Sequence, residues 1–131
     1  IWIFEEDDSE VLEYACMGVL SGHSQDVKFV VWHPTRDQLF SASYDDTIKS
    51  WSYEDSIDDW VCKFTIQGHS STVWALDFDP TGNYLVSCSD DKSWIIWSVT
   101  ETEYKKIAQV KNTHFRAIYS ISWSPQQSQE T

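Results

Sequence analysis

Gly22-His23-Ser24-Gln25-Asp26-Val27-Lys28-Phe29-Val30-Val31-Trp32-His33-Pro34 decides the fold, because its pattern returns 46 residues later in Gly68-His69-Ser70-Ser71-Thr72-Val73-Trp74-Ala75-Leu76-Asp77-Phe78-Asp79-Pro80. Asp45 and Trp51 recur at the same offset as Asp91 and Trp97. Thr113-His114 opens a third copy, in which Ile118, Ile121, Trp123 and Pro125 take the places of Val27, Val30, Trp32 and Pro34. A supersecondary unit has been copied along the chain, and each copy needs a neighbour to bury its apolar face.

Within a copy, short β-rich runs alternate with turn formers. Val27 to Trp32 is followed by Pro34-Thr35-Arg36-Asp37, Gln38 to Ser43 by Tyr44-Asp45-Asp46, and then Thr47 to Trp51. The next copy has Pro80-Thr81-Gly82-Asn83 and Asp90-Asp91-Lys92 at the same points. Pro, Gly, Asn and Asp punctuate strands for conformational reasons. The chain lacks any stretch combining three-and-four apolar spacing with a capping signal, so the expected class is all-β.

A period of this length, with Gly-His at its start and Trp at its end, resembles the WD40 repeat, in which four antiparallel strands form one blade of a propeller. Fewer than three periods fit in 131 residues, whereas closed rings hold typically about 4 to 8 blades. The expected architecture is a partial, open WD40 β-propeller of about three blades. Residues 1–20 would supply the last two strands of one blade, 21–66 and 67–112 complete repeats, 113–125 the start of a further repeat and 126–131 a polar tail. A start inside the apolar run Ile1-Trp2-Ile3-Phe4, without an initiator Met or a signal-peptide pattern, reads as an internal fragment. Both ends are expected to expose blade faces.

More specific strings carry a closer resemblance. His23-Ser24-Gln25-Asp26-Val27-Lys28, Trp32-His33-Pro34, Ser43-Tyr44-Asp45-Asp46-Thr47, Asp58-Asp59-Trp60-Val61-Cys62 and Ser87-Cys88-Ser89-Asp90-Asp91 are similar to the WD40 subunits of cytosolic iron-sulfur protein assembly targeting complexes. That resemblance implies a non-catalytic scaffold in cytosol and nucleus. Its partners would be other targeting-complex subunits and the apo-proteins that receive clusters. Another WD40 adaptor, such as a ubiquitin-ligase substrate receptor or a chromatin-peptide reader, is the alternative. Ser52 and Ser98 replace the Asp that names the repeat, Thr113 replaces Gly, and Phe4 is read as standing in the Trp position of the first blade.

Ser41, His23 and Asp45 suggest a nucleophile, a base and an orienting acid. Their duplication with Trp51 as Ser87, His69, Asp91 and Trp97 resembles instead the structural tetrad of WD40 blades. There a buried indole N–H needs an acceptor, and a histidine between Ser and Asp can satisfy both neighbours. Without a Gly-x-Ser-x-Gly elbow, no catalytic residue is expected.

Twenty-one acidic against nine basic side chains give a net charge of −12, which repels nucleic acid and anionic lipid. Apolar runs such as Phe29 to Trp32 are strand-sized, too short for a membrane span. The acidic groups Glu5, Glu6, Asp7, Asp8 and Glu10, then Glu54, Asp55, Asp58 and Asp59, are read as solvated connections between third and fourth strands. Cys16, Cys62 and Cys88 lack CxxC spacing and fit a reducing compartment. They are read as core filling, not cluster ligands. His33 is read as a turn residue. With no phosphate loop, paired-His zinc motif or calcium loop, neither a cofactor, a metal nor a small-molecule substrate is expected.

Binding is expected on the rim where the loop entering the first strand meets the turn between the second and third. That rim would gather Asp26, Lys28 and Tyr44, then Thr72, Trp74 and Asp90, and finally Tyr119. Trp74 and Tyr119 share the repeat position of Lys28, and aromatics beside charges have the composition of interface anchors.

Overall fold

Antiparallel pairing of consecutive strands accounts for the whole architecture. The structure, a computed structural model, describes residues 1–5 and 13–125. The acidic residues Glu6, Asp7, Asp8 and Glu10 and the tail 126–131 lie outside the described residues. Ten strands run in chain order: β1 (Trp2–Glu5), β2 (Glu13–Cys16), β3 (Val27–Trp32), β4 (Gln38–Ser43), β5 (Ile48–Glu54), β6 (Asp59–Ile66), β7 (Val73–Phe78), β8 (Tyr84–Ser89), β9 (Trp94–Val99) and β10 (Tyr104–Val110). They form one two-stranded sheet, β1-β2, and two four-stranded meanders, β3-β4-β5-β6 and β7-β8-β9-β10. The described residues contain no helix, and the sheets remain separate, as in an open propeller.

The core is the layer between the two meanders. Phe40, Ala42, Ile48 and Ile66 from one sheet meet Val73, Leu76, Phe78, Leu85 and Ile95 from the other. Phe40 and Phe78 cross edge-to-face at 5.1 Å and 78°, a geometry that aligns a ring edge with a neighbouring π face. The second strands are the most enclosed: every residue of β4 is buried, and all of β8 beyond Tyr84. Apolar residues on both faces of these strands reflect packing from two sides.

The face of β3 turned away from the second meander is open, with Val30 56% and Trp32 51% exposed. A cleft of about 520 Å³ separates it from the β1-β2 pair and is lined chiefly by apolar side chains, among them Trp2, Val19, Leu20, Val30 and Trp32. At the opposite end, residues 111–125 contain no strand. They lie along the second meander, where Ile118 N–H donates to Ser89 O at 3.1 Å and Trp123 N–H to an Asp77 carboxylate oxygen at 2.6 Å. Trp123 also stacks on Tyr84 at 6.4 Å and 12°.

Register corrects the reading of Phe4. Trp2 pairs with Cys16 as Trp51 pairs with Cys62, so Trp2, not Phe4, holds the Trp position of the first blade. The connection between β1 and β2 is three residues longer than that between β5 and β6, and counting at a fixed offset therefore slips. The assignment of all three cysteines to the core also fails, because Cys16 and Cys62 are exposed and only Cys88 is buried. The first two lie on β2 and β6, each paired on one side only. Burial pushes the Cys88 thiol up to about 11, which keeps it protonated near neutral pH.

His33 is a clamp between repeats. It is buried, its Nε2–H donates to Gly82 O at 2.8 Å, and its Nδ1 accepts the backbone N–H groups of Thr35 and Arg36 at 3.1 and 3.0 Å. The ring meets Phe78 edge-on at 4.9 Å. Burial lowers its pKa, outweighing the Gly82 hydrogen bond, and so keeps the ring in the neutral form that this bonding requires. Gly82 has φ +76°, and a Cβ there would lie 2.3 Å from His33 Cε1. Gly82→Ala should therefore destabilise the chain by about 2–4 kcal/mol, from left-handed strain plus overpacking, read as a lower urea midpoint. His33→Ala should lose about 1–3 kcal/mol for the unpaired carbonyl.

Candidate functional site

Two hydrogen-bond chains run through the blades. In the first, Trp51 Nε1–H donates to Ser41 Oγ at 2.8 Å, Ser41 lies 2.7 Å from His23 Nε2, and His23 Nδ1 lies 2.8 Å from Asp45 Oδ2. The assignment that satisfies every group has Ser41 donating to Nε2 and Nδ1–H donating to the carboxylate. Asp45 also accepts the N–H of Ser24 at 3.1 Å, and from Thr47 the N–H at 3.0 Å and the hydroxyl at 2.6 Å. Trp97, Ser87, His69 and Asp91 repeat the arrangement at 2.8, 2.8 and 2.8 Å, with Ser93 in the role of Thr47.

The chains explain their glycines. A Cβ on Gly22 would lie 2.9 Å from Trp51 Cη2, and one on Gly68 2.6 Å from Trp97 Cη2, so the indole ring fills the space a side chain would take. Ser41 and Ser87 are buried, and each oxygen already accepts an indole N–H. This is a satisfied polar network inside a core. Trp2 is 67% exposed where Trp51 is 3%, since no described strand lies beyond β1 to cover its ring.

Burial raises the Asp45 carboxyl, but hydrogen bonds from Thr47, His23 and Ser24 outweigh it and hold the pKa down to about 2. Asp91 is lowered in the same way, burial being overcome by Ser93 and His69. Burial lowers His69 against the raising effect of Asp91. Depressed folded values make the unfolded chain the stronger proton binder, so stability rises with pH across each window. Acidifying from pH 7 should first weaken the fold below the ordinary histidine value of 6.5. It should weaken further from 3.8 toward about 2 as Asp45 takes its proton. Urea midpoints should fall throughout, and Asp45→Asn should flatten the lower part of the decline. Ser41→Ala should cost about 1–3 kcal/mol by orphaning the Trp51 indole and the His23 ring.

The rim residues form a continuous row across the repeats. Lys28 and Trp74 are the residues at which the ladders β3-β4 and β7-β8 skip, between Val27 and Phe29 and between Val73 and Ala75. A β-bulge re-aims its side chain. Lys28 Nζ sits 5.6 Å from the centre of the Tyr44 ring and 5.8 Å from that of Trp74, and 3.2 Å from an Asp26 carboxylate oxygen. The Trp74 indole N–H points to Asp90 Oδ1 at 3.4 Å, and its ring meets Tyr119 edge-on at 5.3 Å. Tyr44 N–H donates to Asp26 O and Asp90 N–H to Thr72 O, both at 2.9 Å.

Tyr44 and Tyr119 are exposed, Trp74 is half-buried and Thr72 is buried, so Thr72 contributes to the row through the carbonyl that accepts the Asp90 N–H. Sequence reasoning found the members of the row but missed the seating of Lys28 between rings from two repeats. Among the described residues, no group of three or more His, Cys, Asp or Glu is placed to hold a metal. No described helix is long and apolar enough to cross a membrane.

The family described as "WD domain, G-beta repeat" matches residues 14–52 and 60–98. Among curated proteins, the chain is 44% identical over 103 residues to "Probable cytosolic iron-sulfur protein assembly protein CIAO1 homolog" of Ixodes scapularis, covering 77% of this chain and 32% of that protein. It is 36% identical over 92 residues to pre-mRNA-processing factor 19 of Bos taurus, covering 70% of this chain and 16% of the relative. The chain thus spans about a third or less of the length of these relatives. Among solved structures, a chain of an active polycomb repressive complex 2 in the basal state superposes with a TM-score of 0.71 at 21% identity, covering 81% of this chain and 25% of that one; this likeness speaks for the fold alone. With the family pattern falling on both four-stranded sheets and their tetrads, the chain belongs to the WD40 family.

Proposed function

We propose that this chain is part of a protein-binding scaffold in cytosolic iron-sulfur protein assembly, and that its aromatic rim is the docking surface. The observation that carries the assignment is the 44% identity to the Ixodes scapularis protein, against 36% over a shorter match to pre-mRNA-processing factor 19. The rim supports the mode of action: Tyr44, Trp74 and Tyr119 present large rigid surfaces beside Asp26, Lys28 and Asp90. Such amphipathic anchors concentrate binding energy in protein interfaces. In this reading the partners are other subunits of the assembly machinery and the apo-proteins it serves. The site of action is the cytoplasm, with the nucleus as a second location. The chain contributes placement, not chemistry, and its serines serve the buried indoles.

Purified subunits of the iron-sulfur assembly machinery, immobilised one at a time, test this. At least one should retain the chain, and Trp74→Ala should weaken retention by at least about tenfold, with Tyr119→Ala acting in the same direction. Retention by none of them would overturn the assignment. Retention unchanged by both substitutions would move the docking surface elsewhere. Selective retention by pre-mRNA-processing partners would favour a different WD40 adaptor.

A further inference from the structure

The position of Lys28 identifies more than a packed side chain. An ammonium within about 6 Å of two ring centres is a cation–π seat, and its walls come from different repeats: Tyr44 on the turn after β4 and Trp74 on the bulge of β7. The occupant is the chain's own, held on a flexible stem. Among the described residues its ion pair is to Asp26 at 3.2 Å, which joins residues two apart, and the Asp26 side chain is 82% exposed. An exposed pair of this kind holds its members weakly. Asp26 and Asp90 flank the seat, and the chain as a whole carries a net charge of −12.

An anionic partner would have to approach past these carboxylates toward an ammonium that already lies against two rings. A cationic side chain meets the opposite situation, with aromatic faces to lie against, carboxylates to bond and a long-range field that draws it in. Between the two cationic side chains, the guanidinium fits better, since its planar face stacks on aromatics and its edge forks to carboxylates.

We propose that the rim seat between Tyr44 and Trp74 takes an arginine side chain of a partner protein, and that Lys28 occupies it as an internal competitor that the arginine displaces. This rests on the reading of the rim as the docking surface and adds the chemistry of what docks there.

Titration of the full ¹⁵N-labelled chain with N-acetyl-arginine amide, followed at the tryptophan indole N–H signals, tests it. The Trp74 signal, identified by its loss in Trp74→Phe, should shift saturably. Lys28→Ala should tighten binding by about two- to fivefold, the value of one exposed cation–π contact, whereas Tyr44→Leu and Asp26→Asn should weaken it. A seat for anions would show the reverse for Lys28→Ala. The proposal is overturned if Lys28→Ala weakens binding or leaves it unchanged, if Trp74 fails to respond in both the parent chain and Lys28→Ala, or if N-acetyl-glutamate amide shifts Trp74 at lower concentration than the arginine probe. If Trp74→Ala abolishes retention by an assembly subunit while the arginine probe leaves the Trp74 signal unmoved, docking at the rim stands and its cation chemistry falls.

Discussion

An indole N–H cannot be buried without an acceptor, and from that constraint much of this chain follows. Trp51 and Trp97 are 3% and 1% exposed, and each must find an oxygen inside the protein. The serine that accepts also needs a partner for its own hydrogen, the histidine that receives it must hold its other nitrogen protonated, and the aspartate that orients the ring must be fed by backbone and hydroxyl donors. Each requirement fixes one residue on a different strand or loop. The result ties the third strand of a blade to the second, to the loop before the first and to the turn after the second. A glycine is required where the indole ring lies against the chain.

Stability between blades has a different origin. The layer built on Phe40, Phe78, Ile66 and Leu85 is apolar, and burying such side chains is worth about 1.5–3 kcal/mol each. The His33–Gly82 bond adds direction to this non-directional attraction and fixes the turn of one repeat against the end of a strand in the previous one. Flanks without a four-stranded neighbour stay exposed, as Trp2, Val30 and Trp32 show. In this chain the polar network is built within each four-stranded blade, while the apolar layer exists between them.

The rim inherits its geometry from these supports. The bulges that turn Lys28 and Trp74 outward lie beside the buried serines Ser43 and Ser89, whose hydroxyls donate to the backbone carbonyls of Asp26 and Ser71. The row of surface groups thus stands on backbone that these buried hydroxyls hold in place, so its side chains can change without disturbing the hydrogen bonds beneath them.

Sequence by itself determined the repeat, its all-β class and the members of both tetrads, because periodicity and the pairing needs of buried polar groups are local rules that repeat with the unit. It also grouped Lys28, Trp74 and Tyr119 by a shared repeat position, and these side chains lie in one row of contacts. Tertiary structure decided what depends on distance between units. It placed Lys28 between rings contributed by two repeats, joined His33 to a turn 49 residues away, and left Cys16 and Cys62 exposed on strands paired on one side only. It also moved the first Trp position from Phe4 to Trp2, because register is set by hydrogen-bonded partners across a ladder and a longer connection changes the count along the chain without changing the pairing.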